Sequence, residues 1–522
     1  MEAVQSRELP IAVFLDGRDP RDFEILTPSP AARHDSDKFS AKGLDRGFRR
    51  SSGGPIRVSC LEQHSMPDNI SSDFLAGVIE GFYGPPWSPA ERTELLGWIS
   101  VWQLNTYLYA PKDDLKHRAL WRDLYSPAEA EALSALAQSC RSRRIRFIYA
   151  LSPGLDIHYS DPAELQRILA CFDQMLDLGC DDFALLFDDI PDRMRDADQQ
   201  RFGSFAAAQC HVTNAAFRWL RERRPRGRFL FCPTPYCGRM ADRHLGGANY
   251  LETVGRELAP EIEVFWTGPE IVSREITVSH VQELRTRLRR RPLIWDNLHA
   301  NDYDGRRFFC GPYAGRPPEL RSEVSGILSN PNTEFPLNYV PLRTLAAYLQ
   351  SRSVWDARAA YVAAMAEWRP RFGGVGEPAA LDDVLLFGDC YYLPHAEGPL
   401  AERLYECARN LLNLPPREWG TAADEFLRSA QRLRDFCAKL AELRDRPLFY
   451  ALHRRIWELR EELDLLQGCI RLKQENPNAV AQSDFHLPGT YRGGFVPRLQ
   501  RLLTQRPDGT FAPACDASAT KP

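Results

Sequence analysis

No uninterrupted apolar run in this 522-residue chain approaches the roughly 18 to 20 residues that a membrane-spanning helix needs. A membrane-embedded helical protein is therefore not expected. A signal-peptide core is missing as well: the first residues include Glu2, Arg7 and Glu8, and the only early apolar cluster, Ile11 to Leu15, is too short. Secretion is not expected either. Charge of one sign is scarce, since 66 basic and 70 acidic residues leave a formal net charge of -4. That balance gives no global attraction to nucleic acid or to an anionic membrane surface. The 13 cysteines are an odd number scattered from Cys60 to Cys515, which is not a disulfide framework and points to a reducing compartment. Cys232 and Cys237 form the closest pair, with no second pair or histidine at zinc-site spacing, so no metal site is expected. His158 and His299 lack a Ser or Cys nucleophile pattern and are read as structural.

Three regions remain once these classes are set aside. Residues 1–70 mix Arg, Asp, Ser, Pro and Gly without a sustained apolar period and are read as a flexible leader. From Phe74 short apolar strands alternate with amphipathic helices. Eight strands can be counted, Leu75–Glu80, Thr106–Ala110, Arg146–Ser152, Phe183–Phe187, Phe229–Pro233, Glu263–Thr267, Leu293–Asn297 and Val324–Ser329. Ser88-Pro-Ala-Glu91 and Ser126-Pro-Ala-Glu129 are capping boxes that start two of the connecting helices. This pattern predicts an α/β fold, a (β/α)8 barrel of the TIM type over residues 71–350. A doubly wound open sheet is the second choice, but no Gly-rich phosphate loop follows the first strand. A helix over Tyr339–Gln350 should close the barrel, and residues 351–380 supply a connecting helix and a hinge around Arg371 to Pro378.

Residues 381–505 are read as an α-helical bundle, or stalk. Phe426, Ala430, Leu433, Cys437 and Leu440 recur four and three apart, as do Leu452, Ile456, Leu459, Leu463, Leu466 and Ile470. Each set forms one apolar stripe, so two antiparallel helices joined near Pro447 are expected. Such a stripe packs within one chain or against a second copy. Residues 506–522 are polar and expected to fray.

The chemistry gathers where strands end. Phe183-Ala-Leu-Leu-Phe187 leads directly into Asp188 and Asp189, as a buried barrel strand delivering acids to an active site would. The other strand ends carry carboxylates, amides, one lysine and aromatic rings, a set suited to a hydroxyl-rich neutral ligand such as a sugar. Two close carboxylates repel, so one pKa should rise and leave a proton donor beside an ionised partner. Glycoside hydrolysis follows from that pair. Metal-assisted chemistry with Mg²⁺ on the two aspartates is the competitor. It lacks a phosphate cradle, and Lys112 is the only basic residue at a strand end.

Gly77-Val-Ile-Glu-Gly-Phe-Tyr-Gly84, Asn105 to Asp114, Ser152-Pro-Gly-Leu-Asp-Ile157, Phe183 to Ile190, Ile294 to Asp304 and Asn330-Pro-Asn332 resemble, in order, the motifs of the eukaryotic protein O-GlcNAcases. These are the β-N-acetylglucosaminidases of glycoside hydrolase family 84. The resemblance runs from about Phe74 to Tyr348 and resumes at Tyr391 to Pro399 and Tyr491 to Phe495. It implies removal of β-linked N-acetylglucosamine from Ser and Thr of cytoplasmic and nuclear proteins. It also implies a retaining mechanism in which the substrate's own 2-acetamido oxygen attacks C1 and forms an oxazoline. No cofactor is implied. Carried over by motif position, Asp188 would orient the acetamido group and Asp189 would be general acid and then base. Gly81, Lys112, Asp302 and Asn332 would bind hydroxyls, Tyr236 and Asn297 would hold the acetamido group, and Trp295 would line the pocket.

One departure from the family pattern, Pro235 where a Glu usually precedes the tyrosine, bears on where Tyr236 lies. No counterpart of the acidic insert or the acetyltransferase-like domain of the larger animal enzymes falls within these residues, so no acetyltransferase-related role is expected. The resemblance further implies a homodimer built through the stalk helices. Two other readings stand beside it: an inactive protein that only binds O-GlcNAc, and a glycosidase acting on hyaluronan-type polymers, which the missing signal peptide disfavours.

Overall fold

The computed structural model describes residues 73–352, 354–374, 379–477, 481–482 and 493–514. The expected leader, part of the hinge (375–378) and Tyr491 and Arg492 of the last motif lie outside the described residues. Eight parallel strands close into a barrel in chain order: β1 (Leu75–Glu80), β2 (Thr106–Tyr109), β3 (Arg146–Leu151), β4 (Asp182–Leu186), β5 (Phe229–Cys232), β6 (Glu263–Trp266), β7 (Leu293–Asp296) and β8 (Gly326–Ser329). Closure is made by β8 pairing with β1, Leu75 opposite Gly326. Gly77 lets β1 and β2 approach, because a Cβ there would lie 1.8 Å from the Thr106 carbonyl oxygen.

Nearly every strand residue is buried, but the two faces bury against different partners. Ile79, Leu108, Ile148, Ala184, Leu186, Leu230, Phe265, Leu293 and Leu328 fill the barrel interior. Their neighbours Val78, Tyr107, Tyr149, Phe183, Leu185, Phe231, Trp266 and Ile294 pack outward against the helices. This is why the strands appear as continuous apolar runs rather than as alternating ones. The connecting helices begin where their caps dictate. Glu91 accepts from the Ser88 N–H at 2.8 Å and Glu129 from the Ser126 N–H at 2.7 Å, while Asp161 and Thr277 cap two later helices.

Beyond the closing helix Tyr339–Gln350 and the helix Ala357–Trp368, a second core forms among the helices Leu381–Asp389, Pro399–Asn413, Ala422–Leu440 and Arg446–Glu475. Both expected apolar stripes are buried in it. Asp445 caps the long last helix by accepting from the Leu448 N–H at 3.0 Å, with Pro447 in its first turn. Residues 507–514 of the expected tail are ordered, and residues 515–522 lie outside the described residues. β10 (Leu503–Gln505) and β11 (Thr510–Pro513) form a hairpin, and β11 also pairs with β9 (Ala481–Gln482). The turn residues Asp508 and Gly509 permit it, Gly509 with φ of 81° and Asp508 accepting from the Thr510 N–H at 3.0 Å. No helix among the described residues is long and apolar enough to cross a membrane.

Candidate active site at the carboxyl ends of the strands

The inward-facing alternation of each strand continues past its last paired residue and decides which side chains meet. Counting on by twos gives Gly81, Lys112, Asp188, Cys232, Thr267, Asn297 and Asn330. All of these line one cleft of about 620 Å³, together with Tyr83, Asp189, Tyr236, Trp295 and Asp302. Barrel enzymes place their chemistry at this rim.

Asp188 is the buried member of the acidic pair. Its Oδ2 accepts from Lys112 Nζ at 2.5 Å, and the two side chains are 8% and 2% exposed. Burial alone would raise the Asp188 pKa. The Lys112 charge and hydrogen bond, with the nearby Arg118 guanidinium, outweigh it and hold the carboxyl below the usual aspartate range. Asp188 is therefore an anion at neutral pH, opposite to a repulsion-raised acid. Its other oxygen, Oδ1, is buried and has no hydrogen-bond partner. A buried acceptor left open costs about 1–3 kcal/mol, and a ligand N–H or O–H would recover it.

Asp189 departs from the strand alternation. Its backbone turns into the left-handed region, φ 49°, which brings a second carboxylate to the same rim instead of sending it outward. Tyr236 Oη donates to its Oδ1 at 2.8 Å and Tyr83 Oη to its Oδ2 at 2.9 Å. Burial, and then the Asp189 charge, push both phenol pKas up, so both remain donors. Pro235 therefore leaves Tyr236 in the site. Tyr83 also ties in Asp302, whose Oδ2 accepts from the Tyr83 N–H at 2.9 Å.

Opposite this pair lies an amide and indole wall. Trp295 Nε1 donates to Asn297 Oδ1 at 3.0 Å, Asn330 Nδ2 donates to the same oxygen at 3.0 Å, and Asn297 Nδ2 donates to the Ile271 carbonyl at 2.9 Å. Asn330 Oδ1 is a second buried acceptor without a partner. Phe265 packs edge-on against Trp295 with ring centroids 5.3 Å apart, and Lys112 Nζ lies 5.6 Å from the Trp295 ring centroid. Gly81 must be a glycine here, because a Cβ would come within 2.5 Å of the Trp295 ring.

Asn332 does not join the cleft, which corrects its expected role in hydroxyl binding. It is fully buried, donating to the Phe309 carbonyl at 2.9 Å and to Asn338 Oδ1 at 3.0 Å and accepting from the Phe309 N–H at 2.8 Å. Pro331 follows the last cleft-facing position, and the chain has left the strand by Asn332. Asn330 is the amide that reaches the cleft. Other polar residues at strand ends are structural too. Glu80 faces outward to Arg92, with its Nε 2.9 Å away, and Asp296 is sealed against Arg316 and Tyr313. His299 is buried, its Nε2 3.0 Å from the Gly311 carbonyl and its pKa lowered by burial to about 4, which fits a structural neutral ring. Motif position assigns no role to Tyr83 and Asn330, which line the cleft, or to Arg118, which donates to the backbone of the acidic pair. Strand alternation would have found Asn330, whereas Tyr83 and Arg118 sit on loops without periodicity.

Among the described residues no group of three or more His, Cys, Asp or Glu is arranged to hold a metal ion. The eleven described cysteines are all free.

A (β/α)8 barrel whose rim joins an anionic aspartate, a second carboxylate held by tyrosines, and an indole–amide wall is a sugar-processing architecture. The chain belongs to the β-N-acetylglucosaminidase family, whose model matches residues 76–378. It is 51% identical over 278 residues to the protein O-GlcNAcases of Mus musculus and Rattus norvegicus, an alignment covering 53% of this chain. The alignment spans 30% of each of those relatives' lengths. Among solved structures, a variant of the Thermobaculum terrenum O-GlcNAc hydrolase superposes with a TM-score of 0.68 at 28% identity. That superposition covers 77% of this chain and 85% of the other.

Proposed function

We propose that this chain hydrolyses the β-glycosidic bond of N-acetylglucosamine linked to Ser or Thr of proteins, with retention and through an oxazoline. The open, buried Oδ1 of an ionised Asp188 is the observation that carries this reading. An acetamido N–H is the donor that fits it: accepting from that N–H polarises the amide, strengthens its oxygen as a nucleophile toward C1, and stabilises the positive charge the oxazoline develops. Asp189, beside it and accessible, donates a proton to the leaving oxygen and afterwards takes one from the attacking water. Lys112, Asp302 and Asn330 bind sugar hydroxyls, Asn297 and Tyr236 border the acetamido group, and Trp295 covers the sugar's C–H face. No metal or cofactor enters this scheme. The substrates fit cytoplasmic and nuclear proteins, and the stalk is the proposed homodimer surface; Tyr450 and Trp457, 62% and 60% exposed on its longest helix, support that surface.

The test is hydrolysis of aryl β-N-acetylglucosaminides carrying zero to three fluorines on the acetamido methyl, with Asp188→Asn and Asp189→Asn alongside. A rate that falls steeply with fluorination, and falls about 100-fold or more in each variant, is expected. A rate indifferent to fluorine would assign the nucleophile to the enzyme instead. A parent that binds the sugar without turnover would leave a binding protein.

A further inference from the structure

Arg118 belongs to no strand and to no motif of the site, yet its guanidinium lies beneath the acidic pair. Nη2 donates to the Asp189 carbonyl at 2.8 Å and Nη1 to the Asp188 carbonyl at 3.4 Å. Nη1 also donates to Ser152 Oγ at 3.0 Å, and the Ser152 N–H in turn donates to the His117 carbonyl at 2.8 Å, which closes a ring back to the residue preceding Arg118. The arginine is 6% exposed, and its guanidinium carbon stands 5.9 Å from the centroid of the Tyr83 ring. Tyr83 holds the Asp189 carboxylate from the other side.

This arrangement answers a problem set by Asp189. Asp189 at φ 49° sits in the left-handed region, which aspartate tolerates better than most residues but which contacts must still favour over the extended alternative. Relaxing to an ordinary extended conformation would restore the strand alternation and swing the carboxylate away from Asp188. The planar fork of Arg118 donates to two consecutive carbonyls, those of Asp188 and Asp189, a match an ammonium cannot make. We propose that Arg118 is the positioning residue that locks the Asp188–Asp189 turn and so aims Asp189 at the leaving oxygen. This rests on the hydrolase reading above.

The charge of Arg118 has a separate effect, since after Lys112 it is the next cation favouring the anionic form of Asp188. Geometry and charge can be told apart. In the oxazoline-forming step, a misaimed acid harms substrates that need protonation at the leaving oxygen and spares those that do not.

The experiment measures kcat and kcat/KM of the parent, Arg118→Met and Arg118→Lys on a 2,4-dinitrophenyl and a 4-methoxyphenyl β-N-acetylglucosaminide, across pH. In both variants kcat/KM on the methoxyphenyl substrate, which reports the steps up to oxazoline formation, is expected to fall about 100-fold, the scale of a small misplacement of a reacting group, and less than about 5-fold on the dinitrophenyl one. The acid limb of kcat/KM should move to higher pH in Arg118→Met and stay in place in Arg118→Lys, which keeps the charge. Arg118→Lys carries the leaving-group test by itself should the methionine variant not fold. An equal fall in kcat/KM on both substrates would overturn the positioning role and reduce Arg118 to scaffold. A parent inactive on both substrates would instead overturn the hydrolase reading, and this proposal with it.

Discussion

Lys112 and Asp188 show how much of the site's chemistry depends on one ion pair. A carboxylate this buried survives as an anion chiefly because an ammonium lies 2.5 Å away, with the Arg118 guanidinium as the second cation. The sign of its pH effect follows. Because the folded pKa is depressed, the pair stabilises the fold above the ordinary aspartate value, and that contribution is lost as pH falls through the lower folded value. Lys112→Met leaves the carboxylate unpaired, which should cost about 3–5 kcal/mol and shift the acid limb of activity upward. Thermal unfolding and a pH–rate profile check both; an acid limb that does not move would mean Lys112 does not set the charge of Asp188. The two amides after β8 separate just as sharply. Asn330→Ala should lower kcat/KM at least 10-fold with little change in melting temperature, as loss of ligand hydrogen bonds would. Asn332→Ala should do the reverse, destabilising by about 1–3 kcal/mol through the orphaned Phe309 and Asn338 groups. If the two variants exchanged behaviours, hydroxyl binding would return to Asn332.

At the scale of elements, the barrel was legible because each strand is an apolar run cut off by turn residues and followed by a capped helix. The stalk was legible because Leu452 to Ile470 keep one helical stripe. What could not be read was local or distant. The Asn330–Asn332 choice depends on which residue still obeys the strand alternation, Arg118 acts through backbone carbonyls, and β11 finds its partner in Ala481–Gln482 across a long stretch of chain. One buried polar residue inside the stalk also has no periodic signature in the sequence. Glu462 is buried on the long helix, and burial together with Glu461 and Glu458 raises its pKa to about 7, although Gln500 Nε2 donates to it at 2.8 Å. A raised acid works in the direction opposite to Asp188. Its neutral form suits the fold below the ordinary glutamate value of 4.5, and that stability is lost as pH rises toward 7. Glu462→Gln should therefore change stability little at pH 5 and raise it at pH 8, by no more than about 3 kcal/mol. Denaturant midpoints at the two pH values measure this, and an equal shift at both would show that ionisation of Glu462 is not involved.

Over the whole molecule, the stalk does more than extend from the barrel, because it supports a loop of the site. Arg455, on the long stalk helix and 4% exposed, donates through Nη2 to Glu334 Oε1 at 2.6 Å and to the Gly305 carbonyl at 2.8 Å. The other oxygen of Glu334 accepts from Asn301 Nδ2 at 2.8 Å, and Asn301 Oδ1 accepts from the Thr333 N–H at 2.9 Å. Asn301 precedes Asp302, which lines the cleft and holds the Tyr83 backbone. A stalk arginine thus fixes the β7 loop, the loop places Asp302, and Asp302 with Tyr83 forms one wall of the sugar site. Since this route reaches ligand-binding groups first and meets Asp189 only at its far end, through the Tyr83 hydroxyl, its loss should appear in binding before it appears in chemistry. Arg455→Met is expected to raise KM about 3- to 10-fold while kcat changes less than about 2-fold, and to destabilise by about 1–2 kcal/mol because Glu334, 30% exposed, loses a charged hydrogen-bond donor. Steady-state kinetics with thermal unfolding decide it. A destabilised variant with unchanged KM would show that the stalk bears on the barrel's stability and leaves the sugar site untouched.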